Sequence, residues 1–438
     1  MRLLRQLWIV LGTAIGAFIV SWFVYMPDSD QRGTWRATHG GSIITLNRIT
    51  AKLYSESSAS CVRQLTFPAH LKLVEWSEGA VVAADGDQMS LSIDGTLDPI
   101  AFTRIENLPD HCTVPMESAS SGDVFNALWT AMDEHYAFFD LHGVDWAARR
   151  SLAPTQDLSD DDLYAALQEV LAGLDDGHVQ LGTPMGYFSP SESPDWLPED
   201  RGGLERADLW RIARETVGVD LTPIELTGID YTLLPDGIGY VMIRNMGFDT
   251  PFGGLSQPGM AQAFADVANA LQGADAIIID LRYNPGGSDT VSLGVASHFT
   301  SVPIDVFTKT TRDGANQSEP FVATLFPYDD TPLAQPVLVL TSQLTGSAAE
   351  ILTMSLRDLP NVTVMGENTG GGLSDIMGFK LPNGWDLGLS NQTYTTMDGA
   401  VFEGVGIPPD VPFKIDFAPF LQGEDPLLRA AFSRARNF

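Results

Sequence analysis

From Gly237 onward the chain alternates between short apolar runs and longer amphipathic stretches, and this alternation limits the fold more than any other feature. Gly239–Ile243, Ala276–Leu281, Val337–Leu340 and Val362–Met365 read as buried strands, with Pro303–Phe307 as a further one. Between them, Met260–Leu271, Thr290–Phe299 and Ile351–Leu356 carry apolar residues at helical spacing. Strands separated by helices of this length predict right-handed βαβ crossovers in one mixed sheet, hence an α/β fold. Strand patterns recur over Trp385–Pro412 around the turn Asp398-Gly399.

One corner of this pattern stands out. The strand Val337–Leu340 runs into Thr341-Ser-Gln-Leu-Thr-Gly-Ser-Ala-Ala-Glu350 and then directly into a helix. Such a turn can lift a side chain out of the sheet edge, at a helix N-terminus whose free N–H groups favour developing negative charge. Ser347 occupies that corner. It is either a helix cap or a nucleophile, and the choice depends on whether the chain also supplies a base and an oxyanion site.

The segments before the sheet differ in kind. Residues 33–115 are rich in β-branched residues and turn signals, with short strands at Ser42–Leu46, Ala51–Tyr54, Lys72–Trp76, Ala80–Ala83 and Met89–Ile93. They read as a small β domain. Residues 123–185 turn helical: Val124, Leu128, Met132, Tyr136 and Phe139 share a face, and Ser159-Asp-Asp-Asp162 opens a second helix that stops at Asp175-Asp-Gly-His178. Residues 186–235 read as a connector with one helix near Leu204–Glu215, too short for an inserted peptide-binding domain of about 80–100 residues. The α/β core spans 236–416, and 417–438 reads as a C-terminal tail.

Arg2 and Arg5 precede an apolar run from Leu7 to Met26, followed by Asp28 and Asp30. About 20 such residues span a bilayer, and the charge asymmetry leaves the bulk outside the cytoplasm. Residues 1–30 are therefore expected to be a transmembrane signal anchor, with a cleaved signal peptide as the alternative. The remainder would be periplasmic or on the cell surface, and secreted if the segment is cleaved. Cys61 and Cys112 are then expected to form one disulfide bond, against the alternative of two unrelated buried thiols. A net charge of −31 spread along the chain argues against nucleic acid as a partner. His39, His70 and His111 are scattered without ligand spacing, so neither metal nor cofactor is expected.

Four further stretches bear on Ser347. Asn284-Pro-Gly-Gly287 follows a buried strand, so its glycines can present backbone N–H groups as an oxyanion site requires, with Ala348 N–H as a second donor. His178, Glu403 and the turn Glu367-Asn-Thr-Gly-Gly-Gly372 have ordinary readings singly: a helix-end cation, a surface acid, a flexible loop. In this order they resemble the superfamily of C-terminal processing peptidases, tricorn-core proteases and retinoid-binding modules. The matching residues are Leu174–His178, Ile238–Ile243, Ile279–Gly287, Gly346–Glu350, Gly366–Gly372 and Glu403–Asp410, within about residues 123–415.

The resemblance implies a crotonase/ClpP-like sheet, a serine-type endopeptidase, a polypeptide substrate and possible homo-oligomers. Processing peptidases carry a lysine where this chain has Gly372, and none of Lys52, Lys72, Lys309, Lys380 and Lys414 lies in that turn. With no room for a PDZ domain, that absence points to the tricorn-core branch. The resemblance then assigns Ser347 as nucleophile, His178 as general base and Glu403 as a third member acting on the histidine through bridging groups. Gly286 or Gly287, with Ala348, would supply the oxyanion donors. The residue beside the base, often polar in tricorn-type enzymes, is Gly177 here. A non-catalytic binder of apolar ligands with the same fold is the alternative.

Overall fold

The computed structural model describes residues 25–70, 80–93, 96–112, 119–198, 203–248 and 257–438. The expected strand Lys72–Trp76, and all but the last residues of the expected membrane span, lie outside them. Among the described residues no helix is long and apolar enough to cross a membrane.

Near the N-terminus, β1 (Gly33–Ala37), β2 (Ser42–Leu46), β3 (Thr50–Glu56), β4 (Cys61–Pro68), β5 (Ala80–Asp85), β6 (Gln88–Ile93) and β7 (Ile100–Ile105) form an antiparallel sheet. Its order among the described residues is β4-β3-β2-β1-β7-β6-β5. Alternate residues bury one face, with Trp35 and Phe102 at the centre of its core. Cys61 and Cys112 are joined, tying β4 to the turn after β7. β1, β4 and β7 escape the sequence reading because Arg36, Arg63, Gln64 and Arg104 interrupt their apolar runs.

The sheet is docked on the rest of the chain by specific bonds. Gln64 Nε2 donates to Gly378 O at 2.8 Å, Lys380 N to Ser55 Oγ at 3.0 Å, and Ser58 N to Glu134 Oε2 at 3.1 Å. Asp98 reaches the buried Lys309 Nζ at 2.5 Å.

Two capped helices follow. α1 (Ser121–His135) begins with a reciprocal box between Ser120 and Asp123, and α2 (Asp160–Leu171) is capped by Ser159. Their apolar faces pack on Phe379, Leu387 and Leu389. β8 (Gln180–Thr183) and β9 (Gly186–Phe188) come next, then α3 (Arg206–Val217).

The segment expected to be a connector enters the main sheet: after β10 (Thr222–Pro223), β11 (Thr227–Leu233) pairs antiparallel with β12 (Ile238–Phe248). A register shift between Thr227 and Ile229, and a buried Asp230 paired with Arg214 and Arg244, hide the strand from periodicity. From β12 the chain runs through α4 (Gln257–Leu271), β13 (Ala276–Asp280), α5 (Asp289–Ala296), β14 (Ile304–Asp313), β15 (Asn316–Gln317), β16 (Phe321–Leu325) and β17 (Val337–Thr341). α6 (Ala348–Leu356) and β18 (Val362–Gly366) follow, then β19 (Ile376–Lys380), β20 (Asp386–Ser390), β21 (Gln392–Thr396) and β22 (Val411–Pro412).

The central order β10-β11-β12-β13-β17-β18-β22 is parallel from β12 to β22, so the mixed sheet with helical crossovers is present. β14 pairs with β15, β16 and β21 in one further sheet, and β19-β20-β8-β9 form another. The expected tail is also part of the core. α7 (Pro426–Ala435) buries Leu427, Leu428, Ala431, Phe432 and Ala435 against the sheet. Its cap Asp425 binds the fully buried Arg282 at 2.6 Å, and Arg282 also pairs with Asp280 at 2.7 Å. An uncompensated charge there would be costly, so the pairing holds the helix in place.

Candidate active site

β13 and β17 are parallel neighbours, so the turns after them emerge side by side at the carboxyl edge of the sheet, where open α/β sheets place their sites. The two turns are laced together. Thr345 Oγ1 donates to Leu281 O at 2.9 Å and Gly346 N to Asn284 O at 3.0 Å. Ser347 follows at φ 52°, ψ −127°, a conformation that costs a non-glycine residue on the order of 1–3 kcal/mol. Its N–H donates to Gly372 O and to Glu350 Oε2, both at 3.0 Å. The strand–turn–helix corner expected from the sequence is thus a strained elbow at the start of α6.

Glu350 is fully buried. Its Oε1 accepts from Thr369 Oγ1 at 2.5 Å and Gly371 N at 2.7 Å, and its Oε2 also accepts from Gly372 N at 2.9 Å. Burial pushes this carboxyl up to about 7, against the pull of these hydrogen bonds. It fastens the Gly370–Gly372 turn to the serine. The Ser-x-x-Glu spacing of a capping box is the sequence signal that could have found it.

The expected oxyanion donors divide. Gly286 N–H donates to Asn284 Oδ1 at 2.8 Å, so it is committed elsewhere. Gly287 N–H and Ala348 N–H have no acceptor among the described residues. Gly286 serves by its size: at φ 107°, a Cβ there would lie 2.5 Å from Ser347 Cβ and 2.8 Å from Gly346 O.

His178 sits in the loop between α2 and β8, and its N–H donates to Asp176 Oδ1 at 2.8 Å. Burial lowers the imidazole pKa, opposed by Asp176, Asp375 and the Ser374 main chain. The ring is thereby kept neutral, as a proton acceptor must be. Ser347 and His178 line one cleft of about 970 Å³ together with Pro285, Gly370–Gly372 and Gly404. No hydrogen bond joins them among the described residues, and such bonds often tighten only when substrate binds.

Glu403 stands behind this pair. It is buried, and its Oε2 accepts from Leu373 N at 2.9 Å and Ser374 N at 3.0 Å. Burial, then Asp176 and Glu350, push its carboxyl well above the usual range. Its link to His178 runs through the peptide of Ser374. Lys309, the buried lysine of β14, is held by Asp98, Asp375 at 3.2 Å and Gln392 at 3.3 Å. The side chains among the described residues that cluster closely enough to suggest a metal are Cys61, His111 and Cys112, whose thiols are consumed by the disulfide.

Residues 237–413 match the profile of peptidase family S41, and residues 121–151 that of the tricorn protease C1 domain. A carboxyl-terminal-processing protease of Synechocystis sp. is 35% identical over 156 residues, 34% of this chain and 35% of that protein. One from Picosynechococcus sp. is 35% identical over 140 residues, 32% of each. The chain therefore spans about a third of the length of these curated relatives. The solved structure of a candidate peptidase from Parabacteroides merdae superposes with a TM-score of 0.61 at 29% identity, covering 73% of this chain and 97% of that one. Through these matches, residues 237–413 are similar to peptidase family S41 and residues 121–151 to the tricorn protease C1 domain, and the fold is shared with the Parabacteroides merdae structure.

Proposed function

We propose that this protein is a serine endopeptidase that hydrolyses exported or unfolded polypeptides by Ser–His catalysis. The observation that carries it is the strained Ser347 at a helix N-terminus, sharing a cleft with a neutral His178 and flanked by the uncommitted N–H groups of Gly287 and Ala348. Ser347 Oγ attacks the scissile carbonyl as His178 takes its proton, and the two N–H groups hold the tetrahedral oxyanion. Each such donor is worth about 2.7–4 kcal/mol. The imidazolium then returns its proton to the leaving amine, and water releases the acyl group by the same path.

A binder of apolar ligands is not favoured, because acids, glycines and hydroxyls make up much of the cleft. The Cys61–Cys112 disulfide supports an oxidising, extracytoplasmic location. Anchoring through the apolar run at 7–26 rests on its sequence and is tested by whether detergent is needed to release the full-length protein. A homo-oligomeric state is part of the same reading. The function itself is tested with a fluorophosphonate probe and an unfolded protein substrate. Labelling at Ser347 and loss of turnover in Ser347→Ala are expected; undiminished turnover in Ser347→Ala refutes the assignment.

A further inference from the structure

Three buried polar atoms lie beside the histidine with no hydrogen bond of 3.5 Å or less, Asp176 Oδ2, His178 Nδ1 and Tyr136 Oη, although the Tyr136 hydroxyl is near enough to Asp176 to interact with it. Buried polar groups are rarely left unpaired without a functional reason. Asp176 is only 5% exposed and lines the same cleft as Ser347 and His178. Its Oδ1 already accepts the His178 N–H at 2.8 Å, so the carboxylate is anchored alongside the residue it would serve. The backbone nitrogen and Nδ1 of one histidine are few bonds apart, so a single carboxylate can accept from both.

We propose that Asp176 is the positioning residue of the catalytic histidine, its free Oδ2 accepting the Nδ1 proton of His178 in the substrate-bound enzyme. This rests on the serine peptidase reading and adds to it the group that orients the base. With Nδ1–H on the carboxylate, the Nε2 lone pair is the one that faces Ser347. As the Oγ–C bond forms and the carbonyl π pair moves to oxygen, the serine proton passes to Nε2. The imidazolium keeps Nδ1–H on Asp176, and the Nε2 proton leaves with the amine.

The surroundings favour Asp176 over Glu403 for this task. The groups that bear on the His178 ring are Asp176, Asp375 and the Ser374 main chain. Asp375 is drawn to Lys309 at 3.2 Å, and Glu403 accepts from the N–H groups of residues 373 and 374. Asp176 bears instead on Glu403, helping to raise its carboxyl. The Tyr136 hydroxyl faces Asp176 from α1's end, with Asp175 and Glu403 beyond. Among the described residues, Asp176 is thus the carboxylate hydrogen-bonded to the His178 main chain.

The test follows kcat/KM on an unfolded protein and the rate of fluorophosphonate labelling at Ser347, across about pH 5 to 9, for the parent, Asp176→Asn and Glu403→Gln. Asp176→Asn is expected to lose about 100- to 10 000-fold in kcat, with KM little changed and the midpoint of the pH profile shifted to lower pH. Glu403→Gln is expected to keep the parental midpoint. A labelled parent whose Asp176→Asn variant shows the parental rate and midpoint overturns the role of Asp176 alone. A parent that takes up no probe at Ser347 overturns the peptidase reading and this role with it. If Asp176→Asn fails to fold, the phosphonylated parent decides by proton NMR: a far-downfield Nδ1–H signal supports the pairing, and its absence overturns it.

Discussion

The N–H of Ser347 donates to Glu350 Oε2 at 3.0 Å, and Glu350 sits three residues further along the same chain with both carboxylate oxygens doubly engaged. The strained Ser347 is thereby joined to the glycine turn that walls the cleft.

Glu350→Gln is the sharpest probe of this joint. Each carboxylate oxygen accepts from at least one backbone N–H, so an amide NH2 in either orientation faces a donor. The variant is expected to lose about 1–3 kcal/mol of stability, measured by urea unfolding. Its Ser347 is expected to react with a fluorophosphonate far more slowly than the parent's.

Gly286→Ala is expected to damage activity more than stability. Its Cβ would fall 2.5 Å from Ser347 Cβ at a φ of 107° that alanine rarely adopts. The strain is relieved only by moving the elbow. We expect destabilisation of about 1–3 kcal/mol and a drop in kcat larger than that predicts, read from turnover alongside thermal unfolding.

Asp289 links stability to pH. Burial, then the nearby Asp375, raise its carboxyl from 3.8 to about 7, although Lys309 and the Tyr394 hydroxyl oppose this. The folded state therefore holds a proton there that the unfolded chain releases. The stabilisation is complete below about pH 4 and is lost as pH rises towards 7, at a rate on the order of 1.4 kcal/mol per pH unit. Asp289→Asn keeps an acceptor for Tyr394 and cannot ionise. Its urea midpoint is expected to vary less than the parent's over that window.

Reducing the Cys61–Cys112 bond releases a loop of 51 residues. The chain-entropy account predicts a loss of about 4 kcal/mol. Because the bond lies within the β domain, hydrogen exchange is expected to speed up in β1–β7 while β12, β13 and β17 keep their protection. Exchange monitored by mass spectrometry in reduced and oxidised protein reads this directly.

Much of the site is legible in the amino-acid sequence. The Ser347 corner and the βαβ order follow from local periodicity and turn chemistry, which neighbouring residues encode, whereas His178 and the glycine pair stand out only through the family resemblance. Elements that mix charge into strands, such as β1, β4, β7 and β11, are not legible, because their polar residues are matched by partners far along the chain. Asp230 is the clearest case: its burial makes sense only once Arg214 and Arg244 are beside it. The last helix likewise reads as a tail because the partner of Asp425 is Arg282, 143 residues earlier.

Which residue could be the nucleophile is thus written in the chain, since backbone conformation at a strand–turn–helix corner is a local property. What surrounds it is not. That Gly286 spends its N–H on Asn284, that Glu403 accepts from the N–H of Ser374, and that Asp176 accepts from the N–H of His178 are facts of packing. Burial strips these groups of water, and the partners that replace it come from segments brought together only when the sheet closes.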